Sequence, residues 1–354
     1  MFVALRDIRF ARGRFALMGT VVALITTLVV FLYGLTGGLA REATSAVAGL
    51  PADRIVFGAP AGAAPEVSFT NSTVDASQAA AWRTAPGVTS AEPLGVAMTR
   101  LTAHGKATSV SAFGTSERLR PALVRGSAPG DGAVAVSERL ADDNGLRIGD
   151  TVTLGTERLT VSGLTADRSH GHAPSVWTTL PAWQRVSHQQ QPTALAVTGG
   201  GSPAGAAART TEAVPLADAL DGIDGYAAEH GTLQLVQGFL FVVSALVVGA
   251  FFTVWTVQRR PDIAVLKAVG ASSGYLVRDA LAQALAVLLA GAALGGTAGV
   301  VGGWFASAAV PFELGAATVA VPVAAMVLLG LAGSVLAVRR ITSVDPLTAL
   351  GATR

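Results

Sequence analysis

Apolar positions in this chain gather into four long runs: 15–39, 233–257, 281–310 and 317–338. Each can cross a hydrocarbon layer, which takes roughly 20 residues of helix. Between the first two, over 40–232, the pattern becomes that of a water-soluble domain. Arg54 to Gly58 reads as a strand. Asp75 can cap a helix that runs to Thr84 and stops before Pro86 and Gly87. Leu94–Arg100 and Ala107–Phe113 alternate like strands around a turn at His104–Gly105. Ala133–Val136 is a short strand, and Ser137 caps a helix to Asn144 that Gly145 ends. Asp150–Leu154 and Arg158–Val161 predict a hairpin around Gly155. Gly199–Ala208 is rich in small residues and reads as an exposed loop. The expected fold is membrane α-helical, with four transmembrane helices and a mixed α+β extracytoplasmic domain inserted between helices 1 and 2.

The polar interruptions carry the next layer. Residues 1–14 place Phe2, Leu5, Ile8 and Phe10 among Arg6, Arg9, Arg12 and Arg14, with one acid, Asp7. That pattern predicts an amphipathic cytoplasmic helix. A cleaved signal peptide has an apolar core of about 7–15 residues, and the run that follows is longer, so a spanning helix fits better. Over 258–280, Arg259 and Arg260 precede Pro261 and Asp262, which suit a helix N-terminus. Ile263 and Leu266, with Ala264 and Ala268, recur at three- and four-residue spacing around Lys267, and Gly270 is a natural C-cap. This short amphipathic helix either presses on a soluble partner or rests on lipid headgroups. The tail, 339–354, opens with Arg339 and Arg340.

Composition agrees with the membrane reading. The chain is 51% hydrophobic and 14% charged, against about 25% charged in soluble domains. From Arg41 to Glu229 there are 14 basic and 18 acidic residues, and elsewhere 11 basic and 5 acidic. The positive-inside rule then puts both termini and the 258–280 loop in the cytoplasm and the inserted domain outside. Because the charges segregate in this way, the pI near 9.4 does not point to nucleic acid. The chain has no cysteine, hence neither disulfides nor a thiolate metal site.

Candidate chemistry is sparse. Gly291, Gly295, Gly299 and Gly303 repeat every four residues in the third run. A stripe like this lets another helix approach closely, within the subunit or from a second copy. No strand precedes it, so it is not a dinucleotide fingerprint, and the chain has no P-loop. His170 and His172 form the only close histidine pair, and without further ligands they read as part of a solvent loop. The runs are almost free of ionisable groups, which argues against a proton relay. Coordinating side chains cluster near the outer ends of the first two runs: Tyr33, Glu229, His230, Gln234 and Gln237. They are candidates for substrate contact. An aromatic anchor at Tyr33 and hydrogen bonds across helices from the glutamines are the plainer roles.

The stretch RRPDIAVLKAVGAS, the ending from Arg339–Arg340 through Asp345–Pro346 to Ala349–Leu350, and VAVSERLADDNGLRIGDTVTL (Val134–Leu154) together resemble the FtsX/MacB-like ABC transporter permeases. The resemblance covers nearly the whole chain, although that family more often has Glu at the place of Asp262. ALRDIRFARGRFALMG, LTGGLA and LPADRIVFG are similar to the heme-efflux permeases of the HrtB/DevC type. The resemblance implies a homodimeric permease in the cytoplasmic membrane, embedded in lipid, with two copies of a separate ATP-binding subunit beneath it. That partner would bind ATP, and this chain would have no catalytic residue or intrinsic cofactor. The 259–270 helix and the tail would couple to the ATPase. A hydrophobic amphiphile, heme foremost, would be taken from the membrane and expelled. FtsX-like transmission of motion to an external cell-wall partner, or export of lipoprotein, peptide or macrolide, are the competing implications.

Overall fold

A computed structural model describes residues 12–59, 62–258, 265 and 269–342. The chain divides into two units, residues 39–230 and residues 1–38 with 231–354. Helix α1 (Arg12–Ala48) and helix α6 (Tyr226–Gln258) each contribute to both. Each continues as helix past its apolar run, α1 beyond residue 39 and α6 from seven residues before 233.

The 39–230 unit is a mixed α and β domain. In chain order it contains β1 (Arg54–Gly58), α2 (Ala76–Thr84), β2 (Val88–Ala103), β3 (Lys106–Thr115), β4 (Leu123–Gly126) and β5 (Ala133–Ser137). There follow α3 (Glu138–Asn144), β6 (Thr151–Leu154), β7 (Glu157–Thr165), β8 (Ser169–His170) and β9 (Ala173–Thr179). Helix α4 (Leu180–Ser187), β10 (Ala194–Gly199), α5 (Ala206–Thr210) and β11 (Thr211–Pro215) complete it. The local signals hold. Asp75 and Gln78 form a reciprocal capping box on α2. Ser137 Oγ accepts from Leu140 N–H at the start of α3, and Gly145 closes that helix in the left-handed conformation at φ +64. His104 and Gly105 both take positive φ, as a two-residue hairpin turn demands.

The strand order is β11-β1-β10-β2-β3-β9-β5-β7-β4, with β6 pairing both β2 and β7. Those two pairings close β2-β3-β9-β5-β7-β6 into a ring, so these strands hide their edges from one another. Inside pack Leu101, Val110, Val134, Val152, Val161 and Trp183. Gly95 on β2 and Gly114 on β3 leave room for the Trp183 indole, which a Cβ at either position would strike. A second core gathers Phe57, Phe69, Leu94, Phe113 and Trp177.

Two expectations are corrected. A short helix over Ala206–Thr210, with Ala207 buried, begins within the stretch read as a loop and runs past its end. His170 is not in a solvent loop. It is 6% exposed and meets the rings of Phe69 and Phe113 edge-on at 5.4 and 5.6 Å. Gly171 and His172, both at positive φ, reverse the chain between β8 and β9, and His170 lies on the inner side of that reversal.

In the other unit, α7 (Ser273–Ala306) and α8 (Ala316–Thr342) join α1 up to residue 38 and α6 from residue 231. Among the described residues four helices are long and apolar enough to cross a membrane: Phe15–Ala48, Tyr226–Trp255, Gly274–Ala306 and Ala316–Leu336. Phe15, Met18, Val22, Phe252, Trp255 and Leu288 form the buried cluster of this unit.

Candidate functional site

Polar side chains collect where α1 and α6 run on past their apolar residues. Glu42 rides on α1, and Glu229 sits in the first turn of α6, where the helix N-terminus favours an anion. The segment leading into β9 lies along α1: Gly171 N–H donates to Ala43 O at 2.9 Å, and Ser169 N–H to Ser45 Oγ at 2.9 Å. Arg168 Nη1 donates to Gly49 O at 3.0 Å. This seating puts His172 between the two acids. Its Nε2 is 3.0 Å from Glu229 Oε2, and its Nδ1 is 3.9 Å from Glu42 Oε2. The two ring nitrogens face different carboxylates, so one ion could not bind all three groups. Among the described residues no set of three His, Cys, Asp or Glu side chains is placed to hold a metal. One residue further on, the His230 ring stacks on Tyr226 at 5.2 Å.

His170, two residues away, differs electrostatically. Burial pushes its pKa down to about 4, against the opposing pull of Asp224. It is a neutral core residue, while His172 is half-exposed and bridges acids.

In the membrane-type unit the remaining candidates separate. Tyr33 is half-buried on α1, and Gln234 is exposed on α6. Gln237 is buried, and its Nε2 donates to Thr36 Oγ1 at 2.8 Å, while Thr36 Oγ1 donates to Leu32 O at 2.8 Å. This chain ties α6 to α1, and hydrogen bonds of this kind between membrane helices average roughly 0.6 kcal/mol. The α7 glycines also face α1. A Cβ on Gly291 would meet Val22, one on Gly295 the Ala23 carbonyl and Thr26, and one on Gly299 Val30. Thr27 Oγ1 lies 3.1 Å from Gly295 O. Gly303 instead makes room for Phe312, whose ring also fills the space left by Gly34. Glu313 N–H donates to Gly34 O at 3.0 Å, and Phe31 and Phe312 pack with ring centres 5.2 Å apart.

Of the coupling positions, Arg259, Arg260, Asp262, Ile263, Leu266 and Lys267 lie outside the described residues. Gly270 is described and takes φ +101, a conformation suited to glycine. Sequence reasoning did not bring Glu42, Thr36 or His172 into the site. Residues 42, 172 and 229 share no local motif, and only the lie of β8 along α1 unites them.

Four apolar helices with a mixed α and β domain between the first and second define a multi-pass membrane protein. Two family models match it in succession: the MacB-like periplasmic core domain over residues 15–221, more than half of the chain, and the FtsX-like permease C-terminal region over 235–346. The chain belongs to the FtsX/MacB-like ABC transporter permeases, membrane subunits whose family membership implies an ATP-binding partner subunit. It is 26% identical to a Staphylococcus haemolyticus protein named as a hemin transport system permease, HrtB, over 99% of both chains. It is 29% identical to an uncharacterized ABC transporter permease of Mycobacterium tuberculosis, again over 99% of both. Among solved structures, the periplasmic region of MacB from Actinobacillus actinomycetemcomitans matches with TM-score 0.36 and 12% identity, covering 49% of this chain and 92% of that one.

Proposed function

We propose that this permease exports a hydrophobic amphiphile, hemin above all, from the membrane, driven by ATP hydrolysed in a separate subunit. The observation that carries this reading is the end-to-end similarity to the HrtB protein, which spans helices and inserted domain alike. The near absence of ionisable groups within the spans suits an apolar cargo that enters from the bilayer. Tyr33, Glu229 and His230 are the proposed contacts, since hemin offers an iron for an oxygen or nitrogen ligand and a flat face for aromatic stacking. Gln234 and Gln237 complete the proposed set, with Gln237 acting through the Thr36 bridge. Two permease chains pair, both termini face the cytoplasm, and two ATPase copies dock on the 259–270 helix and the tail. Leu266→Asp would then abolish stimulation of the ATPase while leaving insertion intact.

A hemin titration of the protein in nanodiscs with its ATPase, followed at the Soret band, tests the cargo. A saturable shift with hemin-stimulated ATP turnover, weakened by Glu229→Gln or His230→Ala, is expected. Partition equal to that of empty nanodiscs overturns the hemin assignment.

A further inference from the structure

An open furrow of about 660 Å³ runs between α1 and α7, lined from Phe15 to Thr27 on the first and from Ala286 to Ala298 on the second. It exists because both helices place small residues there, among them Ala16, Ala23, Ala286 and Ala290. Among the described residues its only polar side chains are Thr20 and Thr27, and the Thr27 hydroxyl already reaches Ala23 O and Gly295 O. Among the described residues no ionisable side chain lines it. From residue 15 to 27 the furrow covers about 18 Å of helix at a rise of 1.5 Å per residue. Half of a hydrocarbon core of roughly 30 Å is about 15 Å, so its length matches one leaflet. Helix α1 begins at Arg12, and Arg14 directly precedes Phe15, with no acid between them. An anionic headgroup is favoured at that end and a zwitterionic one is not.

We propose that the α1–α7 furrow binds one acyl chain of an anionic phospholipid, with the headgroup at the Phe15 end. A water-soluble ligand has nothing to bond here, and the surrounding solvent is itself acyl chain. The site is distinct from the Glu42–His172–Glu229 cluster and does not depend on the identity of the exported cargo.

The test is native mass spectrometry of the delipidated full chain, titrated with dioleoyl phosphatidylglycerol or phosphatidylcholine. One phosphatidylglycerol should be retained per chain, about tenfold more tightly than phosphatidylcholine. Ala290→Phe, which fills the furrow, should remove that preference, whereas Leu289→Phe, beside it on α7, should keep it. Because the chain lacks cysteine, Ala290→Cys provides a second reading through a small substitution. Oxidation of Ala290→Cys should leave the chain uncrosslinked. Disulfide-linked pairs would mean that a second copy occupies the furrow and would overturn the proposal. Equal retention of the two lipids, or an Ala290→Phe variant that binds phosphatidylglycerol normally, would overturn it as well. So would loss of hemin binding in Ala290→Phe with lipid retention unchanged, because the furrow would then belong to the cargo.

Discussion

The inserted domain and the helical unit use opposite means of holding together. In the domain the interior is filled by the largest side chains available, with Trp82, Trp177, Trp183, Phe57 and Phe113 all fully buried. There water drives apolar surface inward, and each ring buried contributes in proportion to its area. In the helical unit α7 meets α1 through Gly291, Gly295 and Gly299, with backbone set against backbone and valine. Lipid is as apolar as leucine, so at this contact moving bulk out of lipid brings no hydrophobic gain. Close approach and hydrogen bonds such as Gln237 to Thr36 supply the attraction instead. The same protein therefore should tolerate opposite substitutions in its two halves.

Trp183→Ala should break the domain side of this contrast most severely. Emptying a site that Gly95 and Gly114 were shaped to leave costs about 3–5 kcal/mol, measurable by pulse proteolysis of the full chain in nanodiscs. Acid should act next. The folded pKa of His170, about 4, lies below the ordinary histidine value of 6.5, so the unfolded chain takes up the proton first. Domain stability should hold above pH 6.5 and fall as the pH drops toward 4, by about 3 kcal/mol. His170→Gln should flatten that part of the profile, and an unchanged slope would relocate the titration.

On the helical side, Gly295→Leu should cost about 1–3 kcal/mol through forced separation of α1 and α7. Gly302→Leu, whose Cβ would meet only Phe31 at 3.9 Å, should assemble normally in the same thermal assay. Equal behaviour of the two would remove the stripe from the account. The smallest effect belongs to His172→Gln. Its partners are partly solvated, with 39% of the Glu229 side chain exposed, so a loss below about 1 kcal/mol is expected. Hydrogen exchange over residues 168–172 and 226–230 would detect it.

Much of the fold is legible in the sequence because it is written locally. The apolar runs, the capping pair Asp75 and Gln78, the His104–Gly105 turn and Gly145 each act within a few residues. β9 and β10 are silent to alternation because both of their faces are buried, which leaves apolar runs without a period. Closure of the ring through β6 is a long-range pairing that no window shows. The site is less legible still. A bridge between residues 42, 172 and 229 requires a strand to lie along a helix. His170 and His172, two residues apart in sequence, differ in role only because the turn between β8 and β9 directs one inward and one outward.

The Phe312 ring carries a consequence for how such sequences vary. It is lodged against both Gly34 and Gly303, while the backbone of Pro311 crosses Gly38. Positions 34, 303 and 312 thus share a single volume although they lie far apart along the chain. Drift at one is blocked until another yields, so the three should change as a set or not at all: a bulkier residue at 34 or 303 should be found only alongside a smaller one at 312.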